Sequence, residues 1–181
     1  MRQWIPQKSN QTARNLILLL FGGAFALLAI TTLMGDYSFR WIFQTIAILL
    51  LTAAVFLTTR YLTKLYIYRM EENGEGEPDL TVTESATNGK RPVTVCRVSL
   101  HHIESVRLFD FSDGGASLAA WKKFKTGRKR IFDYRIDFRP TIFLLVTVKE
   151  GGETLHLLFS HMEDLSELLR AAAEGYREDE E

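Results

Sequence analysis

Two uncharged runs near the start constrain this chain more than any other feature. Leu16 to Met34 (LILLLFGGAFALLAITTLM) and Trp41 to Thr59 (WIFQTIAILLLTAAVFLTT) each hold nineteen residues without a charged side chain. A helix rises ~1.5 Å per residue, so each run covers most of a ~30 Å hydrocarbon core. Only Gly35 to Arg40 lies between them. That is enough to reverse direction and too little to form a domain. A cleaved leader fits poorly: the first run is long, no clear small-residue cleavage site follows, and a second run comes at once. Buried helices of a water-soluble protein usually keep a polar stripe, and neither run has one. The expectation is a transmembrane hairpin over 16–60, with spans at 16–34 and 41–59.

Flanking charges orient the hairpin. Arg2, Lys8 and Arg14 precede the first span, and Arg60, Lys64 and Arg69 follow the second, whereas the turn holds only Arg40 and Asp36. Basic residues favour the cytoplasmic side, so a plasma-membrane protein with both termini cytoplasmic is expected, residues 1–15 forming a cytoplasmic N-terminal segment. The single cysteine, Cys96, permits no intrachain disulfide and agrees with a reducing compartment. Trp41, Tyr37 and Phe39 suit one membrane interface and Tyr61 the other. Gly22 and Ala26 form a small-xxx-small step, with Ala47, Ala53 and Ala54 on the second span. These either let the helices approach closely or reflect the ordinary Gly and Ala content of membrane helices. Gln44 and several threonines are the polar residues of the spans, and no ionisable group lies inside them. That argues against a self-contained transporter.

From Leu62 the pattern changes to period two. Lys64, Tyr66 and Tyr68 alternate with Leu65, Ile67 and Arg69, and 79–84 and 93–98 read as two further strands. Asn88-Gly89 is a turn signal between them. Leu100, Ile103 and Val106 are spaced by three, which suggests a turn of helix or a bend leading into a strand to Phe109. In 131–139, Phe132, Tyr134, Ile136 and Phe138 share one face, while Asp133, Arg135, Asp137 and Arg139 share the other. Thr141 to Lys149 is apolar on both faces at its centre, as in a strand covered on both sides. Glu150-Gly-Gly-Glu153 reads as a hairpin connection into a strand through Phe159. The period then becomes helical. Ser160 and Glu163 form a capping box; Met162, Leu165, Leu169, Ala172 and Tyr176 fall on one face; Gly175 is the expected end. An acidic tail, 178–181, follows.

About seven short strands and a closing amphipathic helix form an α+β unit over 61–177. The arrangement resembles the pleckstrin-homology-like (PH-like) fold, an antiparallel β-barrel or sandwich capped by a C-terminal helix. It resembles more closely the bacterial membrane-anchored proteins in which a helical hairpin leads directly into such a domain. The residues that carry the likeness are the two spans, TKLYIYRM at the exit of the second, VCRVSLHHIESVRLF, and the closing TLHLLFSHMEDLSELL. The resemblance implies a membrane-tethered binding or scaffold module, with no catalytic motif.

One segment has chemical character. Residues 111–130 form a long connection, and long connections in compact domains are often functional or disordered. Ser117 to Lys125 suits a short helix with Leu118, Trp121 and Phe124 near one another. Lys122, Lys123, Lys125, Arg128, Lys129 and Arg130 make six of the nine residues 122–130 basic. Cations interleaved with aromatics suit an anionic leaflet, each Lys or Arg contributing about 1 kcal/mol, with Trp121 and Phe124 at headgroup depth. A solvated loop and an acidic protein partner remain the other readings. Nucleic acid is disfavoured, because whole-chain charge balances at 22 basic and 22 acidic residues.

No enzyme is expected. His101-His102 on a strand would face opposite ways, and no Cys or carboxylate sits at a familiar ligand spacing. His161 lies at a helix start, and His156 alternates with leucines, so it faces solvent or the opposite side of its sheet. Phosphate-loop, nucleophile-elbow and zinc-protease motifs are absent from the sequence. Cys96 inside a strand reads as a small buried residue. No cofactor or metal is expected. The sequence leads to a non-enzymatic, membrane-anchored module that contacts anionic lipid or a protein partner at the cytoplasmic face. An accessory subunit of a larger membrane complex is the alternative.

Overall fold

The computed structural model describes residues 2–7, 10–33, 35, 37–86, 92–112, 115–127 and 129–180, the last five for backbone only. The Asn88-Gly89 turn, Lys8, Asp36 and the basic residue Arg128 lie outside the described residues. The chain divides into two units, Ser9–Lys64 and Met1–Lys8 with Leu65–Glu181.

The first unit is a pair of helices, α1 (Gln11–Leu33) and α2 (Arg40–Leu57), the second continuing into a π-helical turn, Thr58–Leu62. Both are long and apolar enough to cross a membrane. Their mutual seam is lined by Ala13, Ile17, Ala24 and Thr31 of α1 and by Ala47 and Ala54 of α2. The steps 17–24–31 and 47–54 are sevens, the period of a left-handed helix pair. Small residues there let the backbones approach, which supports association where water supplies no hydrophobic drive. Gly22 and Ala26 are exposed instead, and a Cβ on Gly22 would meet nothing within 4 Å. The small-xxx-small step therefore points away from the seam. Large apolar side chains, among them Leu18, Leu19, Phe25, Leu49 and Phe56, also point outward. The threonines satisfy themselves: Thr45, Thr52 and Thr58 hydroxyls donate to the carbonyls of Trp41, Ile48 and Ala54 at 2.8–2.9 Å. Such back-bonding hides a hydroxyl from an apolar surrounding.

The second unit is α+β. One sheet has the order β1-β2-β3-β4, from β1 (Arg2–Trp4), β2 (Lys64–Glu72), β3 (Pro78–Ala86) and β4 (Val93–Ser99). The strand β1 was not foreseen. It lies ahead of α1 in sequence, yet Arg2, Gln3 and Trp4 pair with Met70, Arg69 and Tyr68. A 3₁₀ turn, Leu100–His102, leads into the second sheet, ordered β5-β7-β8-β6. Its strands are β5 (Ile103–Asp110), β6 (Arg130–Asp133), β7 (Ile142–Glu150) and β8 (Glu153–Ser160), and α3 (Ala116–Lys125) and α4 (Glu163–Glu180) complete the unit. Gly151 and Gly152 take φ of 58° and 83° in the β7–β8 turn, the left-handed pair that a two-residue hairpin demands.

Several expectations need correction. Among the described residues the sheets do not close into a barrel, and β6 runs parallel to β8. The strand expected over 131–139 stops at Asp133. There the Asp133 carboxylate accepts from the backbone N–H of Arg135 at 3.1 Å and from its guanidinium at 2.7 and 2.8 Å. This local bonding competes with the ladder and turns the chain out of the sheet. The expected capping box does not form: Ser160 ends β8, and its hydroxyl accepts from the N–H of Ile136 at 3.3 Å. The helix α4 continues past Gly175 to Glu180.

The main core lies between the sheets. Tyr66, Tyr68, Leu80 and Val82 face Leu144, Val146, Leu157 and Phe159, and Leu165, Leu169 and Ala173 of α4 close it. Tyr68 is the buried tie. Its hydroxyl donates to the Tyr134 carbonyl at 3.0 Å and accepts from the Ser160 N–H at 3.2 Å. Burial pushes its pKa up to about 12.

Candidate binding surface on the outer face of the second sheet

Side chains alternate across a strand, so the second sheet presents a second face. Registry assigns it to Phe143, Leu145 and Thr147 of β7, to Leu158 and His156 of β8, and to Phe109, Arg107 and Ser105 of β5. On β7 and β8 this face changes from apolar to polar at one level, between Leu145 and Thr147 and between Leu158 and His156; on β5 the change comes one pair earlier, since Arg107 lies opposite Leu145. The helix α3 covers the apolar half and stops there.

The helix forms because Ala, Leu and Lys are good helix formers, and its last-turn lysines complement the negative end of its dipole. The Thr126 hydroxyl closes the C-terminus by donating to the carbonyls of Lys122 and Lys123 at 3.0 and 2.8 Å. Trp121 anchors it. Only 9% exposed, it packs with Phe109, Phe143, Leu145 and Leu158 in a second cluster. Its ring meets Phe143 edge-on at 5.1 Å and Phe109 at 5.4 Å, and stacks with Phe124 at 5.6 Å. The interfacial contact expected of Trp121 is thus replaced by a core role. Phe124 is half-buried, its ring edge-on to His156 at 4.9 Å. Lys122, Lys123 and Lys125 are all exposed on the helix, as are Lys129 and Arg130 beyond it.

Past the end of α3 the polar half of the face floors a cleft of about 700 Å³. Lys129 and Arg130, singled out from sequence, line it with Phe124. Arg107, Glu104, Ser105, Thr147, Glu153, Thr154 and His156 join them. Lys129 Nζ sits 3.9 Å over the Phe124 ring, and Arg130 is ion-paired with Glu153. His156, 8% exposed, shares a hydrogen bond with the Thr147 hydroxyl at 3.3 Å. Burial lowers its pKa; Lys129 and Arg107 act in the same sense, and Glu104 opposes them.

Sequence reasoning missed Arg107, Thr147 and His156 as parts of one surface. The usable signal was the apolar-to-polar change within one parity of each strand. His101 and His102 are exposed in the 3₁₀ turn, and Cys96 is half-buried with its thiol pKa raised by burial. Among the described residues no three His, Cys, Asp or Glu side chains are placed to hold a metal ion. Comparison with known proteins found no matching family model, no matching curated protein and no matching solved structure.

Proposed function

We propose that this chain is a two-span membrane protein whose α+β unit, a PH-like module, is a non-enzymatic reader of an anionic membrane surface at the cytoplasmic face. The observation that carries the reading is the construction of α3. Its aromatic side is sealed into the sheet by Trp121, so Lys122, Lys123 and Lys125 are held outward on a fixed helix, with Lys129 and Arg130 beside them. A solvated loop needs no such anchor. With Arg130 ion-paired to Glu153, the other four exposed cations near an anionic leaflet contribute about 4 kcal/mol together, screened by salt.

Two further observations support the membrane part. The outward faces of α1 and α2 carry large apolar side chains, and the exposed threonines among them, Thr32, Thr45, Thr52 and Thr59, turn their hydroxyls back onto their own helix. The pairing of Arg2–Trp4 with 68–70 brings together the two segments that flank the hairpin, which supports both its ends emerging on one side of a membrane, the side that the flanking charges favour. Only Thr63 separates the helical turn ending at Leu62 from β2, and so short a tether makes modest surface affinity sufficient.

The test is lysine acylation in the full chain, reconstituted into neutral or anionic lipid nanodiscs and read by mass spectrometry. Anionic lipid is expected to protect Lys122, Lys123 and Lys125 at low salt, and high salt to remove the protection. Equal labelling in both lipids at low salt would refute the reading.

A further inference from the structure

We propose that the cleft floored by Ser105, Arg107, Thr147 and His156, and walled by Phe124 and Lys129, binds a singly charged, hydroxyl-bearing phosphodiester. The inference deepens the membrane-surface reading, since the same basic segment supplies Phe124 and Lys129.

Size excludes a bare ion as the fitting occupant. About 700 Å³ lies within the range of small-molecule sites, roughly 300–1,000 Å³, and a small polar headgroup fills it better than one phosphate group. The charges select among anions. Arg130 is already taken by Glu153. Among the described residues Arg107, Lys129 and Glu104 form no ion pair, which leaves two cations against one carboxylate. His156 adds no positive charge near neutral pH, because its pKa is lowered by burial and by Lys129. Among the described residues the free balance is therefore one positive charge, matched by one negative charge on a ligand.

The donors fit a phosphodiester. The planar guanidinium of Arg107 can donate to two oxygens at once, and Lys129 supplies a point charge. The hydroxyls of Ser105, Thr147 and Thr154 can donate or accept. Glu104 accepts hydrogen bonds from ligand hydroxyls and repels a second negative charge, so a monoanionic diester is preferred to a dianionic monoester. The ring of Phe124 offers an apolar wall to the carbons of a polyol.

A diester of this kind is found both in a lipid headgroup and in a soluble metabolite, and two arms separate the sources. In the first, sn-glycero-3-phosphoglycerol is titrated calorimetrically against the full chain in phosphatidylcholine nanodiscs, with inorganic phosphate as the dianionic comparison. Saturable binding of the diester, tighter than that of phosphate, is expected. Arg107→Gln and Lys129→Gln should each weaken it about tenfold, the loss of one charge-assisted contact. The triple variant Lys122→Gln, Lys123→Gln, Lys125→Gln should bind the diester as the parent does. In the second arm, phosphatidylglycerol replaces part of the nanodisc lipid. Reduced apparent affinity for the soluble diester identifies the lipid headgroup as occupant, and unchanged affinity identifies a soluble one.

Absence of diester binding, equal or tighter binding of inorganic phosphate, or parent-like binding by both single variants would each overturn the proposal. If lysine protection on anionic lipid persists without diester binding, the cleft inference fails and the surface reading stands. If the diester binds while lysine labelling ignores lipid charge, the surface reading fails and the cleft stands.

Discussion

The second sheet carries a hydrophobic cluster on each face, and the two are built differently. The inner cluster joins both sheets and α4 through mostly aliphatic side chains, with Tyr66, Tyr68 and Phe159 buried among them. The outer cluster is small and mostly aromatic: Phe109, Trp121 and Phe143 with two leucines, covered by a ten-residue helix. The inner cluster depends on contacts among elements of both sheets and α4, whereas the outer one hangs on a few rings from α3 and from the two strands β5 and β7 beneath it. The first holds the fold together and the second positions a charged helix. Removing side chains from each should therefore have different reach.

The largest effect is expected for Phe159→Ala. The ring is fully buried and packs against Tyr68 and Tyr134, so its loss should cost about 4 kcal/mol. Thermal denaturation of the detergent-solubilised full chain should show the whole α+β unit melting earlier. Trp121→Ala removes a comparable volume, but the damage should stay local. Amide exchange across 116–125 should accelerate while β2, β3 and β7 remain protected, with global stability falling by about 2 kcal/mol. Collapse of protection everywhere in this variant would make the two clusters a single core. Tyr68→Phe keeps the ring and removes a buried donor and acceptor, leaving the Tyr134 carbonyl and the Ser160 N–H unpaired. Denaturant titration should show a loss of about 1–3 kcal/mol.

A smaller, pH-dependent effect belongs to His156. Its folded pKa is depressed, so the unfolded chain takes up the proton at a higher pH than the folded one. Stability is then complete near neutrality. It falls as pH drops through about 6.5 and levels off only below the folded pKa. His156→Gln should flatten this part of the pH–stability curve, and an unchanged slope would remove His156 as its source. The smallest stability effect is expected for Lys122→Glu, Lys123→Glu and Lys125→Glu combined. These exposed positions should shift stability by less than about 0.5 kcal/mol, while lipid-dependent labelling of the remaining amines near α3 disappears. A large destabilisation would show that the lysines serve packing.

The sequence by itself determined what rests on local periodicity. Two uncharged runs of spanning length could only be apolar helices, because each face of both is apolar. The helical face of 162–172 and the two-sided apolarity of 141–149 likewise predicted α4 and the doubly covered β7. Tertiary structure alone decided the partners. Period two in 131–139 marked a surface able to alternate, but the Asp133–Arg135 contact and the parallel pairing with β8 ended the strand after four residues. Phe132, on the apolar parity of that stretch, is 44% exposed, and Ile131, of the other parity, is the residue that packs, against the outer cluster. Ser160 read as a helix cap until its hydroxyl was seen to hold Ile136. Trp121 read as a membrane anchor because its neighbours are basic, yet Phe109 and Phe143, distant in sequence, form the pocket that buries it. Alternation and spacing say which residues can share a face. Which of two faces is covered, and by what, depends on strand registry between segments far apart in the chain, and that energy exists only once they are paired.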